Sequence, residues 1–426
     1  MNDLATPPSH ASGRAWLVWA LAALSFGYAF FQRVAPSVMV SDLMRAFDVG
    51  AAVLGNLSAV YLYAYAGLQV PVGLLLDRFG PRRMLTGAAG LGAAGSLLFA
   101  SAQTLSVAYL GRLLVGIGAA VGFVGTLKLV AHWFPVNRYA FLAGMTMLVG
   151  MLGGVGGQAP LALSVEAVGW RETLLAAAVF AGGLATLTWL LVRDDPAGRA
   201  AASARQPAPG RSILLDIGHV LSRSQNWFIA LYGGTMAGPM LAYAGLWGVP
   251  HLVQLHGLER AVAAGSASLM LIGWALGAPL GGWLSDRLGR RRIPMATAAG
   301  AALLGWLLLL YVPVPLVLTW VLLFVVGAVS GAMVICMAVA RELAPPAVSG
   351  ATTGFVNTAN VGAGAVLQPI IGLVLDARWE GLIVEGARTY SLDAFGAALA
   401  ILPACAALSL VSALLVRETY CRPAAT

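Results

Sequence analysis

Twelve long, almost uncharged runs constrain this chain more than any other feature. They cover residues 16–40, 53–76, 84–102, 107–130, 139–162, 173–192, 227–252, 261–284, 295–312, 315–338, 350–374 and 392–416. A helix needs about 20 apolar residues to cross a bilayer, so each run reads as a membrane span. Charged residues make up 10% of the chain, against about 25% in a soluble domain. That is too little charge to cover a water-facing surface, which excludes a soluble helical protein. A net charge of +8 would suggest nucleic acid for a soluble chain. Here a bias of basic residues towards one membrane face accounts for it.

Residues 1–14 are polar and read as a tail. The first run outlasts the apolar core of a signal peptide, and no small-residue cleavage site follows it, so an uncleaved span is expected. The longest polar interval, 193–226, contains Pro196, Pro207 and Pro209. It reads as a cytoplasmic linker between an N-terminal six-helix bundle, 1–192, and a C-terminal one, 227–426, with room for a short surface helix from Ser212 to Arg223. Of the 25 Lys and Arg residues, Arg33, Arg112 and Lys128 fall inside runs. Arg45, Arg171, Arg260, Arg378 and Arg388 fall in one set of connecting segments, and all the rest in the other. The positive-inside rule then places both termini in the cytoplasm of a multi-pass inner-membrane protein.

The segment GLLLDRFGPRR, Gly73 to Arg83, returns as GWLSDRLGRRR, Gly282 to Arg292, each after the second run of its half. Trp16 and Trp227 open the first and seventh runs, and Phe134-Pro135 and Ala344-Pro345 close the fourth and tenth. A Gly-x-x-x-Asp-Arg-x-Gly-x-Arg-Arg loop in each half of a polytopic chain resembles the signature loop of the major facilitator superfamily of transporters. The resemblance implies an all-α membrane protein with twelve transmembrane helices in two pseudo-symmetric six-helix bundles. It also implies gating roles for Asp77, Arg78 and Arg82 and for Asp286 and Arg287. Each aspartate would face the positive end of a helix in the other half, near Gly350 for Asp77 and near Tyr139 for Asp286, and only when the cytoplasmic side is closed. Gly80 and Gly289 suit a tight turn between spans. The same basic residues also serve as topology determinants.

A charge near mid-bilayer costs about 2.5–3.5 kcal/mol on insertion scales, so intramembrane cations are functional candidates. Every Asp and Glu can be placed in a loop, a tail or a run end, which leaves Arg33, Arg112 and Lys128 without a carboxylate partner. An anionic substrate would supply the missing charge. Arg33, in Phe30-Phe31-Gln32-Arg33, resembles the span-1 arginine of the anion:cation symporter and organophosphate antiporter branches, which binds the anionic group of the substrate. The organophosphate branch carries a second arginine in span 7, where this chain has Tyr243-Ala244. That departure favours a carboxylate over a phosphate ester. Arg112, in Gly111-Arg112-Leu113-Leu114-Val115-Gly116, resembles the superfamily's span-4 arginine, often linked to proton coupling. Lys128 lies about 24 Å further along the same helix, so the two cannot grip one small ligand. It is a candidate for coupling or for an interfacial contact.

Neutral polar residues gather in the second, seventh and eleventh runs, which in this fold line the cavity. Tyr61 and Tyr65, Tyr243, and Asn357 and Asn360 are the substrate-contact candidates, each of them equally able to be a packing hydrogen bond. His251, near the outer end of the seventh run, is a coupling candidate because histidine titrates near neutral pH. In the fifth run Pro160 follows the glycines Gly153 to Gly157. Drug–proton antiporters of the superfamily place a proline inside a Gly-Pro-x-x-Gly-Gly stretch there, so the departure argues against multidrug efflux. No nucleotide-binding loop, catalytic constellation, metal site or cofactor motif is present. The expectation is a secondary active transporter that moves a small carboxylate-type anion by alternating access, with a proton or counter-anion as co-substrate. It would act as a monomer in the lipid bilayer, with no nucleic-acid partner. Uptake of a neutral or zwitterionic solute such as an amino acid or nucleoside, and multidrug efflux, are the alternatives.

Overall fold

The structure is a computed structural model that describes residues 13–135, 138–195, 218, 220–345 and 348–422. Most of the 193–226 linker, with its expected surface helix, lies outside the described residues. Among the described residues, ten helices are long and apolar enough to cross a membrane. In the first half these are span 1 (Gly13–Val38), span 3 (Pro81–Ser101), span 4 (Leu105–Trp133), span 5 (Phe141–Val168) and span 6 (Trp170–Leu191). In the second half they are span 8 (Arg260–Leu288), span 9 (Arg292–Tyr311), span 10 (Leu316–Leu343), span 11 (Ser349–Ala377) and span 12 (Leu392–Leu415).

Two irregular helices complete the twelve. Span 2 is Ala51–Gly67, continued after a kink at Leu68 by Gln69–Phe79. Pro71 has no N–H to offer the Gly67 carbonyl, which explains the break. Span 7 is Ser224–Ala242, a π turn at Tyr243–Trp247, and Gly248–His256. Broken helices persist in a membrane only where protein or a cavity covers the freed backbone groups. Both spans fit that condition, since they lie at the meeting of the two bundles.

The halves repeat in local detail. Gly80 (φ 78°) and Gly289 (φ 60°) turn the chain between spans 2 and 3 and between spans 8 and 9, as their sequence context predicts. We call this membrane side the motif face. In each half a carboxylate that follows the last span caps the helix after the turn. Asp194 accepts from the Arg82 N–H at 2.6 Å, and Glu418 from the Arg291 and Arg292 N–H groups at 2.7 and 3.0 Å. Burial alone would raise the Glu418 carboxyl, but these backbone donors outweigh it and hold the group below its ordinary value. Large apolar side chains such as Leu152, Val179, Leu190, Trp283 and Val317 stay exposed on the outer surface, as expected of a surface that meets lipid.

The bundles join through spans 2 and 11, 5 and 8, and 1 and 7. On the face opposite the motifs the contacts are close. A side-chain carbon at Gly372 would run into the backbone of Ala51, and one at Gly55 into that of Gln368. Small residues allow such helix approach in lipid. Asp42 on a short helix (Val40–Phe47) pairs with Arg260 of span 8 at 2.7 Å. Gln158, where span 5 breaks, donates to the Ala244 carbonyl at 2.7 Å, so the carbonyl freed by the π turn is satisfied by the other bundle.

Candidate functional site

A cavity of about 730 Å³ lies between the bundles. It runs from Arg33 to the motif-face helix ends, where Asp77, Lys128, Tyr139 and Arg341 line it. Arg33 forms its deep end and is 5% exposed. Its guanidinium carbon lies 4.3 Å from the centre of the Phe30 ring, 4.7 Å from Tyr65 and 5.7 Å from Tyr61. Tyr61 and Tyr65 occupy one helix face, as their spacing predicts, with rings stacked 6.4 Å apart. The Tyr61 hydroxyl is spent on the Ala29 carbonyl at 2.7 Å, so Tyr61 supplies a ring face and not a free donor.

The Nε and Nη2 groups of Arg33 have no hydrogen-bond partner. They form the side-on edge of the guanidinium, the pair of parallel donors that matches the two oxygens of a carboxylate or sulfonate. A cation–π contact is worth up to about 2 kcal/mol when desolvated, but it leaves those donors unbonded. Each unsatisfied buried donor costs about 1–3 kcal/mol, more when charged. The site therefore holds a charge with two donor groups left without a hydrogen-bond partner.

Arg112 sits behind this cage, outside the cavity wall. Its Nη1 donates to the Gln32 carbonyl at 2.9 Å, and its guanidinium carbon lies 5.2 Å from the centre of the Tyr61 ring. It adds positive potential beneath Arg33 without reaching the cavity. One turn towards the motif face, Asn357 of span 11 donates to Gln69 of span 2 at 3.0 Å and closes a bridge between bundles. Gln69 in turn donates to the Tyr65 carbonyl at 3.3 Å.

Several sequence expectations are corrected. Lys128 is not an unpaired cation. It donates to Asp77 at 2.7 Å and to the Leu76 carbonyl at 2.6 Å, because both ends of the pair reach the motif face. Asp77 faces Lys128 in its own bundle here, while its contact with the start of span 11 is expected only when the motif face is closed. Asp286 pairs at 2.6 Å with Arg291, which also binds Glu342 at 2.6 Å. Burial tends to lower Arg291, but the two carboxylates overcome it and hold the group above its ordinary value. Of the loop arginines, Arg82 donates to the Trp189 carbonyl at 2.6 Å, while Arg78 and Arg287 lie against the rings of Phe79 and Trp283.

Tyr243 and His251 are absent from the cavity wall. They bond each other at 2.8 Å inside the second bundle, with His251 3% exposed. The π turn rotates Tyr243 inward, onto Trp306. Asn360 turns its amide towards Met333 and Met337 of span 10, at 3.4 and 3.9 Å. Trp274 of span 8 was not singled out by the sequence. It lines the cavity, is 6% exposed, and its indole N–H has no partner. A tryptophan in an apolar run gives no signal of this kind until its neighbours are known.

The comparisons with known proteins agree with this architecture. The family model described as Major Facilitator Superfamily matches residues 16–369. The probable sulfoacetate transporter SauU of Cupriavidus necator is 24% identical over 295 residues, 66% of this chain and 67% of that protein. The probable galactarate/D-glucarate transporter GudP of Pseudomonas putida is 26% identical over 395 residues, 83% of this chain and 85% of that one. The probable nitrate/nitrite transporter NarK2 of Mycobacterium tuberculosis is 27% identical over 313 residues, 71% and 74% of the two chains. Among solved structures, a bacterial homolog of the human lysosomal transporter Spinster, described as inward-facing and occupied, superposes with a TM-score of 0.75 at 16% identity over 96% of this chain and 97% of that one. The nucleoside transporter NupG gives a TM-score of 0.70 at 14% identity, covering 95% and 99%. The chain is a multi-pass membrane transporter and not an enzyme, and it belongs to the Major Facilitator Superfamily.

Proposed function

We propose that this transporter carries a small organic anion, held by Arg33, through alternating access of the central cavity. The observation that carries the reading is the side-on edge of Arg33, two buried donors with no partner at the end of a cavity. The only carboxylate on that cavity's wall among the described residues is Asp77, which is engaged by Lys128. The relatives whose names specify sulfoacetate, galactarate or glucarate, and nitrate or nitrite all move anions, which supports the same class here.

The basic residues of the motif face make that face cytoplasmic in an inner membrane, with both termini inside. The open cavity then faces the cytoplasm, and the Asp42–Arg260 pair and the Gln158 bond belong to the closed outer side. Residues 1–192 and 227–426 are the units that rock, joined by 193–226. Solute release and reloading would break the Gln69–Asn357 bridge and the outer contacts in turn. The reading is tested by thermal-shift binding of the purified protein to organic acids, each paired with its neutral amide. Stabilisation by acids alone, lost in Arg33→Ala, supports it. Equal stabilisation of both proteins by the amides removes it in favour of a neutral solute.

A further inference from the structure

The cavity wall says more about the solute than its charge, granted that Arg33 binds an anion. Three basic residues line the cavity among those described. Lys128 is engaged by Asp77 at the mouth, and Arg341 is exposed near the motif-face end of Leu316–Leu343. Arg33 therefore stands alone in the deep half. A second carboxylate brought there would lose its water without gaining a cation, which costs several kcal/mol per ion.

A polyhydroxylated body would be served little better, with few free polar groups to meet it. The amides of Gln69 and Asn357 are bonded to each other, and Asn360 turns its N–H towards methionine sulfur, which leaves its Oδ1 as the one buried side-chain acceptor without a partner among the described residues that line the cavity. What the deep half does offer is ring and thioether surface, from Phe26, Phe30, Phe123, Met333 and Met337. The other bundle adds Trp274 to the same cavity wall, with an unpartnered indole N–H.

We infer that the solute is a singly charged organic acid with an apolar, ring-sized body, gripped by Arg33 from the first bundle and Trp274 from the second. The acid group takes the side-on edge of Arg33, with the Tyr65 ring moving aside to admit it. The body fills the apolar slot, and one remaining acceptor oxygen takes the Trp274 N–H. A ligand that touches both bundles couples its own binding to their closure, which neither contact alone achieves.

The test is calorimetric titration of the purified protein with benzoate, phenylacetate, malate, tartrate and benzamide. Benzoate or phenylacetate is expected to bind, Arg33→Ala to abolish that binding, and Trp274→Phe to weaken it about fivefold, the loss of one hydrogen bond with the ring retained. Malate or tartrate binding more tightly than the aromatic acids, in an Arg33-dependent way, overturns the inference while the anion reading survives. Benzamide matching benzoate in both wild type and Arg33→Ala removes both. Absence of binding by either aromatic acid to the wild-type protein also overturns it, and that arm does not depend on the folding of any variant. Unchanged affinity in a folded Trp274→Phe protein removes the second grip.

Discussion

Asp376, at the end of span 11, caps the start of span 2 at Ala51. Its two oxygens accept from the Ala51 and Ala52 N–H groups at 3.0 and 2.9 Å, and Tyr390 donates to the same carboxylate at 2.7 Å. The positive end of a helix thus meets a carboxylate from the other bundle. Spans 2 and 11 pack against each other in opposite directions, and each ends in an aspartate. Asp77 ends span 2 on the motif face, where it is bound to Lys128.

Loss of the Asp376 cap should open the face it closes. A helix cap is worth about 1 kcal/mol against alanine, so Asp376→Ala should raise the population open on that face roughly fivefold. Spin labels at Ser41 and Gln254, which line one pocket there, report the change as a longer inter-label distance. An unchanged distance distribution would show that the cap does not bias the transporter.

Lys128 and the start of span 11 should compete for Asp77. Lys128→Met removes a pair that belongs to the motif-open form and should favour the motif-closed one. Asp77→Ala made in the Lys128→Met background removes only the contact expected in the motif-closed form, so relative to Lys128→Met it should shift the equilibrium in the opposite direction. Asp77 is 69% exposed, so each shift should stay within about 1 kcal/mol. Labels across the motif face measure both, and shifts of the same sign would refute the exchange.

Charge alone should not replace Arg33. Arg33→Lys keeps a cation but loses the parallel donors of the guanidinium. With hydrogen bonds to charged groups worth about 1.5–3 kcal/mol, solute affinity should fall at least about tenfold. Calorimetry measures it, and near-native affinity in Arg33→Lys would mean that the side-on edge is not used.

Glu418 should stabilise the second bundle in a pH-dependent way. Its carboxyl is held below the ordinary value near 4.5. For a depressed acid, the stabilisation is complete above the unfolded value and disappears as pH falls through the folded one. Glu418→Gln should therefore lower the melting temperature at neutral pH, by the loss of about 1 kcal/mol of capping. The gap to wild type should narrow below about pH 4.5, where the ordinary carboxyl protonates. A gap that is constant with pH would place the effect elsewhere.

Most of the fold was legible because lipid imposes length. The repeated Asp-Arg-x-Gly loops, the positive φ at Gly80 and Gly289, and the membership of the family all follow from short stretches of sequence. Span interruptions were less visible. The kink at Leu68 leaves a proline trace, but the π turn at Tyr243 depends on Gln158 supplying a donor from another helix.

Hydropathy and turn chemistry act over a few residues, so the spans, the repeat and the presence of three intramembrane cations could be read from the chain unaided. The fates of those cations could not. Lys128 finds Asp77, Arg112 finds the Gln32 carbonyl, and Arg33 keeps two donors free. The packing of the folded chain sorts them, as it sorts which polar residues face the cavity and brings Asp376 to Ala51. A buried charge is compensated by whatever distant helices bring within about 3 Å of it, and no local pattern encodes that distance.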